Sequence, residues 1–264
     1  MSPNEGAREP DGDTRLIELS ANLAAVRQRI ADAVRLRPAA WGEPKLIVVT
    51  KFHPAADVLL LAGLGVRDLG ENRDQEAAGK SANVAQHREC ASLRWHFIGQ
   101  LQTNKAKSVA GYAHAVHSVD RPGLIRALSA AITAEQQRSN RADLLCFIQL
   151  NLDPALSTPA GVEGYGAAGS RGGALPAQAL ELAELIEAAP GLRLAGVMAV
   201  APLGGDAGEA FARLQQTSAA VVDRFPHATA ISAGMSQDLE PALAAGATHL
   251  RVGSDVLGPR PALR

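Results

Sequence analysis

Eight short aliphatic and β-branched runs alternate with longer helical patterns, and this alternation constrains the fold more than any other feature. The predicted strands are Lys45–Lys51, Arg67–Glu71, Arg94–Gly99, Ala115–Asp120, Leu144–Asn151, Leu192–Val200, Ala228–Ala233 and His249–Ser254. Strands separated by helices form right-handed βαβ units and pair in parallel. We therefore predict an α/β fold, a single (β/α)8 TIM-type barrel. An open doubly wound sheet is the alternative, but its glycine-rich nucleotide-binding motifs are absent from the sequence.

Helical patterns precede and connect these strands. Apolar residues recur with helical spacing from Thr14 to Arg37, and Pro38 ends the pattern. Residues 1–13 are polar and are expected to form a disordered tail, whereas residues 154–173, rich in glycine and proline, predict a flexible insertion. We expect residues 14–264 to form one domain. Further helices are predicted over Pro54–Leu64, Pro122–Gln137, Pro176–Ala188 and Ser236–Ala245.

The composition argues against several classes of function. The 26 basic and 27 acidic residues give a formal net charge of −1, so no nucleic-acid partner and no anionic membrane surface is expected. No apolar run reaches the ~18 residues of a membrane span, and the N-terminus lacks a secretory signal, so we expect a cytoplasmic protein. Cys90 and Cys146 share no C-x-x-C spacing, which predicts neither a disulfide framework nor a metal site. A monomer is expected.

Polar residues end the predicted strands, where barrels assemble their sites. Lys51 ends the first strand, although the chain has only 5 lysines among its 26 basic residues. Burial lowers the pKa of an ammonium group and makes the amine a nucleophile towards aldehydes, whereas the structural alternative is a strand-end lysine that extends to solvent. Glu71 and Asn72 end the second strand, where Asn72 can also cap the next helix. His96 is interpreted as a core histidine.

The seventh and eighth strands lead into small residues. The segment SAGMS covers Ser232–Ser236 and the segment RVGS covers Arg251–Ser254. Loops at these two places commonly bind phosphate in barrels, because backbone N–H groups can approach the anion closely. A phosphate site opposite a lysine predicts a phosphorylated aldehyde as ligand, and a purely structural role of these turns is the alternative.

Several segments together resemble one family. They are LIVVTKFHPAADV, GENRDQEA, WHFIGQLQTNK, VHSVDR, ISAGMSQDLEPALAAGATHLRVGS and VLGPR, which occur in this order from about Lys45 to Arg260. In this combination the chain resembles the pyridoxal phosphate homeostasis proteins, which are small cytoplasmic proteins similar to the N-terminal barrel of alanine racemase. The sequence departs from the common pattern at Gln100, where a histidine is expected, and in the insertion.

The resemblance implies that the chain holds pyridoxal 5'-phosphate (PLP) as a Schiff base on Lys51. Ser232, Gly253 and Ser254 would hold the phosphate, and Arg251 would face the pyridine nitrogen. A guanidinium there disfavours protonation of the ring nitrogen, which weakens the ring as an electron sink. The implied function is therefore non-catalytic intracellular PLP homeostasis, with PLP-dependent apo-enzymes as possible recipients. The full set of implied cofactor-binding residues is Lys51, Asn72, Ser232, Met235, Arg251, Gly253 and Ser254.

A PLP-dependent racemase or decarboxylase is the alternative. Racemisation needs acid–base groups on both faces of the cofactor, and in alanine racemase the second group is a tyrosine of an added domain. We expect no such domain here, because the sequence ends soon after the eighth strand, and the only tyrosines are Tyr112 and Tyr165. No catalytic residue is therefore predicted, and the insertion at 154–173 is expected to be dispensable for cofactor binding.

Overall fold

The structure is a computed structural model that describes residues 12–153, 172–202 and 204–259. Most of the predicted insertion, residues 154–171, lies outside these ranges, so its dispensability stays a prediction. Residues 1–11 of the predicted tail also lie outside them. The first helix begins at Gly12, so the last two residues of that predicted tail are helical.

Eight parallel strands form a closed barrel in which each strand pairs with its neighbours in chain order. The first and last strands close it through pairs such as Lys45 with His249 and Val48 with Val252. The strands are β1 (Lys45–Val49), β2 (Asp68–Glu71), β3 (Arg94–Phe97), β4 (Ala113–Val119), β5 (Leu144–Leu150), β6 (Leu192–Ala199), β7 (Ala230–Ser232) and β8 (His249–Val252). The predicted TIM-type barrel is therefore confirmed.

Helices surround the barrel and bury an apolar stripe against it. They are α1 (Gly12–Val34), α2 (Ala55–Gly63), α3 (Asp74–Val84), α4 (Ala106–Tyr112), α5 (Pro122–Gln136), α6 (Ala179–Glu187), α7 (Ala207–Arg224), α8 (Leu239–Ala244) and α9 (Ser254–Leu257). In α5, for example, Leu124, Leu128 and Ile132 are fully buried. Each such side chain stabilises the fold by about 1.5–3 kcal/mol. Among the described helices, none is both long and apolar enough to cross a membrane.

The observed strand ends differ from the predicted ends by at most two residues. The predicted β1 and β8 extended to Lys51 and Ser254, but the strands end at Val49 and Val252. At the carboxyl ends of the barrel, Lys51 lies in a turn, whereas Ser254 is the first residue of helix α9. The helix predicted from Ser236 begins only at Leu239, because residues 236–238 form a turn.

The barrel interior is more polar than the branched aliphatic layers that usually fill such a barrel. The His117 ring stacks on Phe147 at 4.0 Å between ring centroids and lies edge-on to His96 at 5.1 Å and His249 at 6.3 Å. Because these rings come from β3, β4, β5 and β8, they meet inside the barrel. His96 is 2% exposed, which agrees with its interpretation as a core residue.

Candidate functional site

A cavity of about 520 Å³ opens at the carboxyl ends of β1, β6, β7 and β8. This volume falls within the ~300–1,000 Å³ typical of small-molecule sites. Five of the seven predicted cofactor-binding residues line it, namely Lys51, Met235, Arg251, Gly253 and Ser254. Residues separated by about 200 positions in sequence therefore meet in one cavity because β1 pairs with β8.

Lys51 lies in the turn that follows β1 and is partly buried. The next residue, Phe52, has a φ of 70°, which is uncommon for a residue with a side chain. The backbone N–H of Phe52 donates to Glu76 Oε1 at 2.5 Å, so helix α3 holds the turn in this conformation. Helix α3 therefore holds the backbone of the turn that carries Lys51.

Lys80 on α3 completes the support of this turn. Its Nζ donates to the Thr50 carbonyl at 2.6 Å, to Glu71 Oε1 at 2.7 Å and to Glu76 Oε1 at 2.6 Å. Burial raises the pKa of Glu71, whereas the Lys80 ammonium acts in the opposite direction. Sequence reasoning missed Lys80 and Glu76, although their i, i+4 spacing on one helix was a usable signal.

Arg251 is 4% exposed, yet it borders the cavity. Its Nη1 donates to Ser232 Oγ at 2.6 Å and its Nη2 donates to the Ala199 carbonyl at 2.8 Å. Burial lowers the pKa of Arg251 to about 10, partly opposed by Asp238, so the guanidinium remains charged at neutral pH. A fixed positive charge therefore lies at the base of the cavity.

Ser232 lies below the cavity instead of lining it. Its side chain is fully buried, and its hydroxyl lies 2.8 Å from His117 Nδ1 as well as contacting Arg251. The hydroxyl is therefore engaged beneath the cavity, and its contact with the phosphate stays a prediction.

The turns after β7 and β8 line the same cavity as Lys51. Gly234 has a φ of 87°, and a Cβ there would lie 2.8 Å from Ala242 Cβ, so the close approach requires glycine. Ser236 Oγ and Ser254 Oγ lie 3.1 Å apart, which brings the two turns together. Hydroxyl groups from both turns are therefore available at one place.

Helix α1 ties these two turns to each other from outside the barrel. Arg29 binds Asp255 at 2.7 Å, Glu240 at 2.9 Å and the Ser236 carbonyl at 3.0 Å. Asn22 Nδ2 donates to the Val256 carbonyl at 3.1 Å. The leading helix that the sequence predicts thus fixes the small-residue turns, a role that its amphipathic pattern alone did not indicate.

Asn72 borders a neighbouring cavity of about 730 Å³ at the ends of β2, β3 and β4. Its Oδ1 is buried and has no hydrogen-bond partner, which leaves an acceptor for a ligand donor. Gln100, the position where the sequence departs from the family pattern, lines this cavity together with Lys105 and Arg121. Asp120 binds Arg121 at 2.5 Å.

The residues present fit PLP. The cavity has a lysine, a buried guanidinium, paired serine hydroxyls and glycine-containing turns, and the neighbouring Asn72 has an unsatisfied acceptor. In the described residues, no cluster of His, Cys, Asp and Glu could hold a metal ion. The arrangement is suited to binding an anionic aldehyde, because an amine and candidate anion-binding groups line one cavity.

Comparison with known proteins agrees with this chemistry. The model of the family "Alanine racemase, N-terminal domain" matches residues 21–261. The pyridoxal phosphate homeostasis protein of Mycobacterium tuberculosis is 40% identical over 250 residues, which cover 92% of this chain and 93% of that protein.

Solved structures show the same fold. PipY of Synechococcus elongatus, in a structure with PLP bound, has a TM-score of 0.72 and 29% identity and covers 91% of this chain and 100% of its own. Alanine racemase of Corynebacterium glutamicum, 11% identical with a TM-score of 0.61, matches 94% of this chain but only 63% of its own, and shows the fold alone. The chain therefore belongs to the alanine racemase N-terminal domain family and, within it, to the pyridoxal phosphate homeostasis proteins.

Proposed function

We propose that this protein is a non-catalytic carrier of PLP, which it holds as a Schiff base on Lys51. The observation that carries the proposal is the meeting of Lys51, Arg251, Gly253 and Ser254 in one cavity. The relatives' name and the PLP bound to PipY support the same ligand. When bound, PLP supplies an aldehyde for the amine and an electron-withdrawing ring.

Each residue at the cavity has its own role in this proposal. Lys51 binds the aldehyde carbon, while Gly253 and Ser254 hold the phosphate. Arg251 faces the pyridine nitrogen, and its charge disfavours a proton there because two positive charges at hydrogen-bond distance repel. Met235 and Asn72 border the cofactor, and Ser232 acts through Arg251.

We further propose that residues 14–264 act as one cytoplasmic domain and that the protein is monomeric. PLP-dependent apo-enzymes are the proposed recipients of the cofactor. The open cavity at the barrel rim supports the transfer of PLP to recipients, because a carrier must release PLP to solvent or to another protein.

A binding titration tests the phosphate assignment. PLP is expected to bind with an affinity at least a hundredfold higher than that of pyridoxal, which lacks the phosphate. Charge-assisted hydrogen bonds contribute about 1.5–3 kcal/mol each, so the loss of two or more has this effect. The visible absorption of the bound aldehyde reports saturation, and equal affinities for the two aldehydes would rule out a phosphate site here.

The variant Ser254→Ala localises that site. It is expected to weaken PLP binding about tenfold and to leave pyridoxal binding unchanged. Ser129→Ala is the matched control, because Ser129 lies on α5, does not line the cavity, and donates its hydroxyl to the Pro190 carbonyl. An equal effect of Ser254→Ala on both aldehydes would place the hydroxyl elsewhere on the cofactor.

Amino-acid turnover is expected to be at trace level. Among the described residues no tyrosine lines the Lys51 cavity, and the Tyr112 hydroxyl instead lies 3.5 Å from Asp74 on α3. The other tyrosine, Tyr165, lies outside the described ranges. A missing general acid or base costs about 10²- to 10⁴-fold in rate, and the unprotonated ring nitrogen lowers it further.

The measurement incubates the PLP-loaded protein with L-alanine and other amino acids and follows chirality and product formation. Sustained multiple turnover by racemisation, decarboxylation or transamination that disappears in Lys51→Ala would identify an enzyme instead of a carrier.

A further inference from the structure

A continuous set of buried hydrogen bonds crosses the barrel from the start of β2 to the cavity. His96 Nε2 lies 2.8 Å from Asp68 Oδ1, and His96 Nδ1 lies 2.9 Å from His117 Nε2. His117 Nδ1 lies 2.8 Å from Ser232 Oγ. Arg251 completes the set by its 2.6 Å bond to Ser232. We call these side chains the buried chain: Asp68, His96, His117, Ser232 and Arg251.

Asp68 fixes the direction of donation at one end. Burial alone would raise the pKa of Asp68, but hydrogen bonds from His96 and Arg94 hold it well below its usual range. The ionised carboxylate only accepts hydrogen bonds, so His96 Nε2 must carry a hydrogen. Burial lowers the pKa of His96, which leaves the ring neutral with Nδ1 as an acceptor.

The same reasoning orients the rest of the buried chain. His117 must donate from Nε2 to His96, and because burial also lowers the pKa of His117, its Nδ1 is an acceptor. The single hydroxyl hydrogen of Ser232 is therefore directed to His117. Arg251 has no acceptor atom and must donate to the Ser232 oxygen, which agrees with the observed Nη1 contact.

We infer that His96 and His117 are positioning residues for Arg251, which they hold against the cavity through Ser232. The inference rests on the proposed function, since it assigns a role in binding the pyridine ring. Two of the five N–H groups of Arg251 are engaged with Ser232 and the Ala199 carbonyl, which sets the plane of the guanidinium. The orientation of this plane depends on a carboxylate at the opposite end of the barrel.

The first test needs no cofactor. Nitrogen NMR of the histidine side chains near pH 8 is expected to show His96 and His117 neutral, each with its hydrogen on Nε2. Substitution of one histidine at a time assigns the signals. A hydrogen on Nδ1 of either ring, or an imidazolium, would overturn the inferred direction. This readout stands whether or not the protein binds PLP, so a failure of the proposed function is distinguishable from a failure of this inference.

The second test replaces His117 in two ways. His117→Phe keeps an aromatic ring stacked on Phe147 but removes both hydrogen bonds, whereas His117→Gln retains one donor and one acceptor. The Phe variant is expected to bind PLP and pyridoxal about tenfold more weakly, because both share the pyridine ring. The Gln variant is expected to recover most of that affinity in both ligands.

A neighbouring interior ring supplies the control. His249→Phe alters a histidine that packs edge-on against Phe147 but is not part of the buried chain, and unchanged affinities are expected. Thermal unfolding confirms that each variant is folded before titration. Equal weakening by the Phe and Gln variants, or full affinity in a folded Phe variant, would show that His117 only packs.

Discussion

The variant Lys51→Ala is expected to lose the covalent adduct with PLP completely while the barrel stays folded. The amine condenses with the aldehyde, releasing water, and a methyl group cannot do so. Because Lys51 is only partly buried in a turn at the rim, its truncation is expected to lower the free energy of unfolding by about 1 kcal/mol or less. Borohydride reduction of the bound wild-type protein followed by peptide mass mapping should place the phosphopyridoxyl group on Lys51.

Lys80 is a buried lysine that contacts the turn carrying Lys51, and its contacts argue against it as the attachment site. Its Nζ is buried, donates to the Thr50 carbonyl, Glu71 and Glu76, and does not line the Lys51 cavity, so this amine is held away from a bound aldehyde. Lys105→Ala is the matched control, because Lys105 lines the neighbouring cavity. Adduct formation on another lysine alone would refute the assignment of Lys51.

As the pH falls below about 6.5, the free energy of unfolding of the cofactor-free protein is expected to decrease. This loss begins at pH values well above those at which carboxylates usually titrate. Burial lowers the pKa of His114 to about 4 and that of His249 to about 3, from the ordinary value of 6.5. A histidine with a lowered folded pKa stabilises the fold above its unfolded pKa, and this stability is lost as the pH falls from 6.5 towards the folded value. At about pH 5 His249 alone removes about 2 kcal/mol, at 1.36 kcal/mol per pH unit for one proton, and the partly buried His114 adds a smaller loss because solvent screens it.

Other groups modify this loss in known directions. His96 and His117, whose pKa values burial also lowers, act in the same sense. Asp68 adds to the loss only below its ordinary pKa of 3.8, because its carboxylate is stabilised in the folded state. Glu71 opposes the trend, since burial raises its pKa and protonation then favours the folded protein.

Chemical denaturation at about pH 8 and about pH 5 measures the effect. The variant His249→Gln should reduce the difference in unfolding free energy between the two pH values by about 2 kcal/mol. His87→Gln is the control, because His87 is exposed on the surface outside the barrel interior. An unchanged pH difference in His249→Gln would show that this histidine is already protonated in the folded state.

The sequence by itself determined the barrel and the place of the site. Alternating strand and helix patterns specify parallel βαβ units, and residues that follow the strands must meet at their carboxyl ends. Lys51 and the turns around Gly253 could therefore be predicted to share one rim. Their residue types, an amine opposite small-residue turns, also indicated the class of ligand.

Only the tertiary structure decided which polar groups face the cavity and which support it. The sequence around Ser232 is that of an ordinary strand end. It does not indicate that the Ser232 hydroxyl contacts His117 and Arg251 inside the barrel. Glu71 was predicted at the rim, but the fold pairs it with Lys80 of α3. Hydrogen-bond partners that lie far apart in sequence depend on strand register and helix packing, and these are set by the whole core, whereas periodicity and turn residues are local properties of the chain.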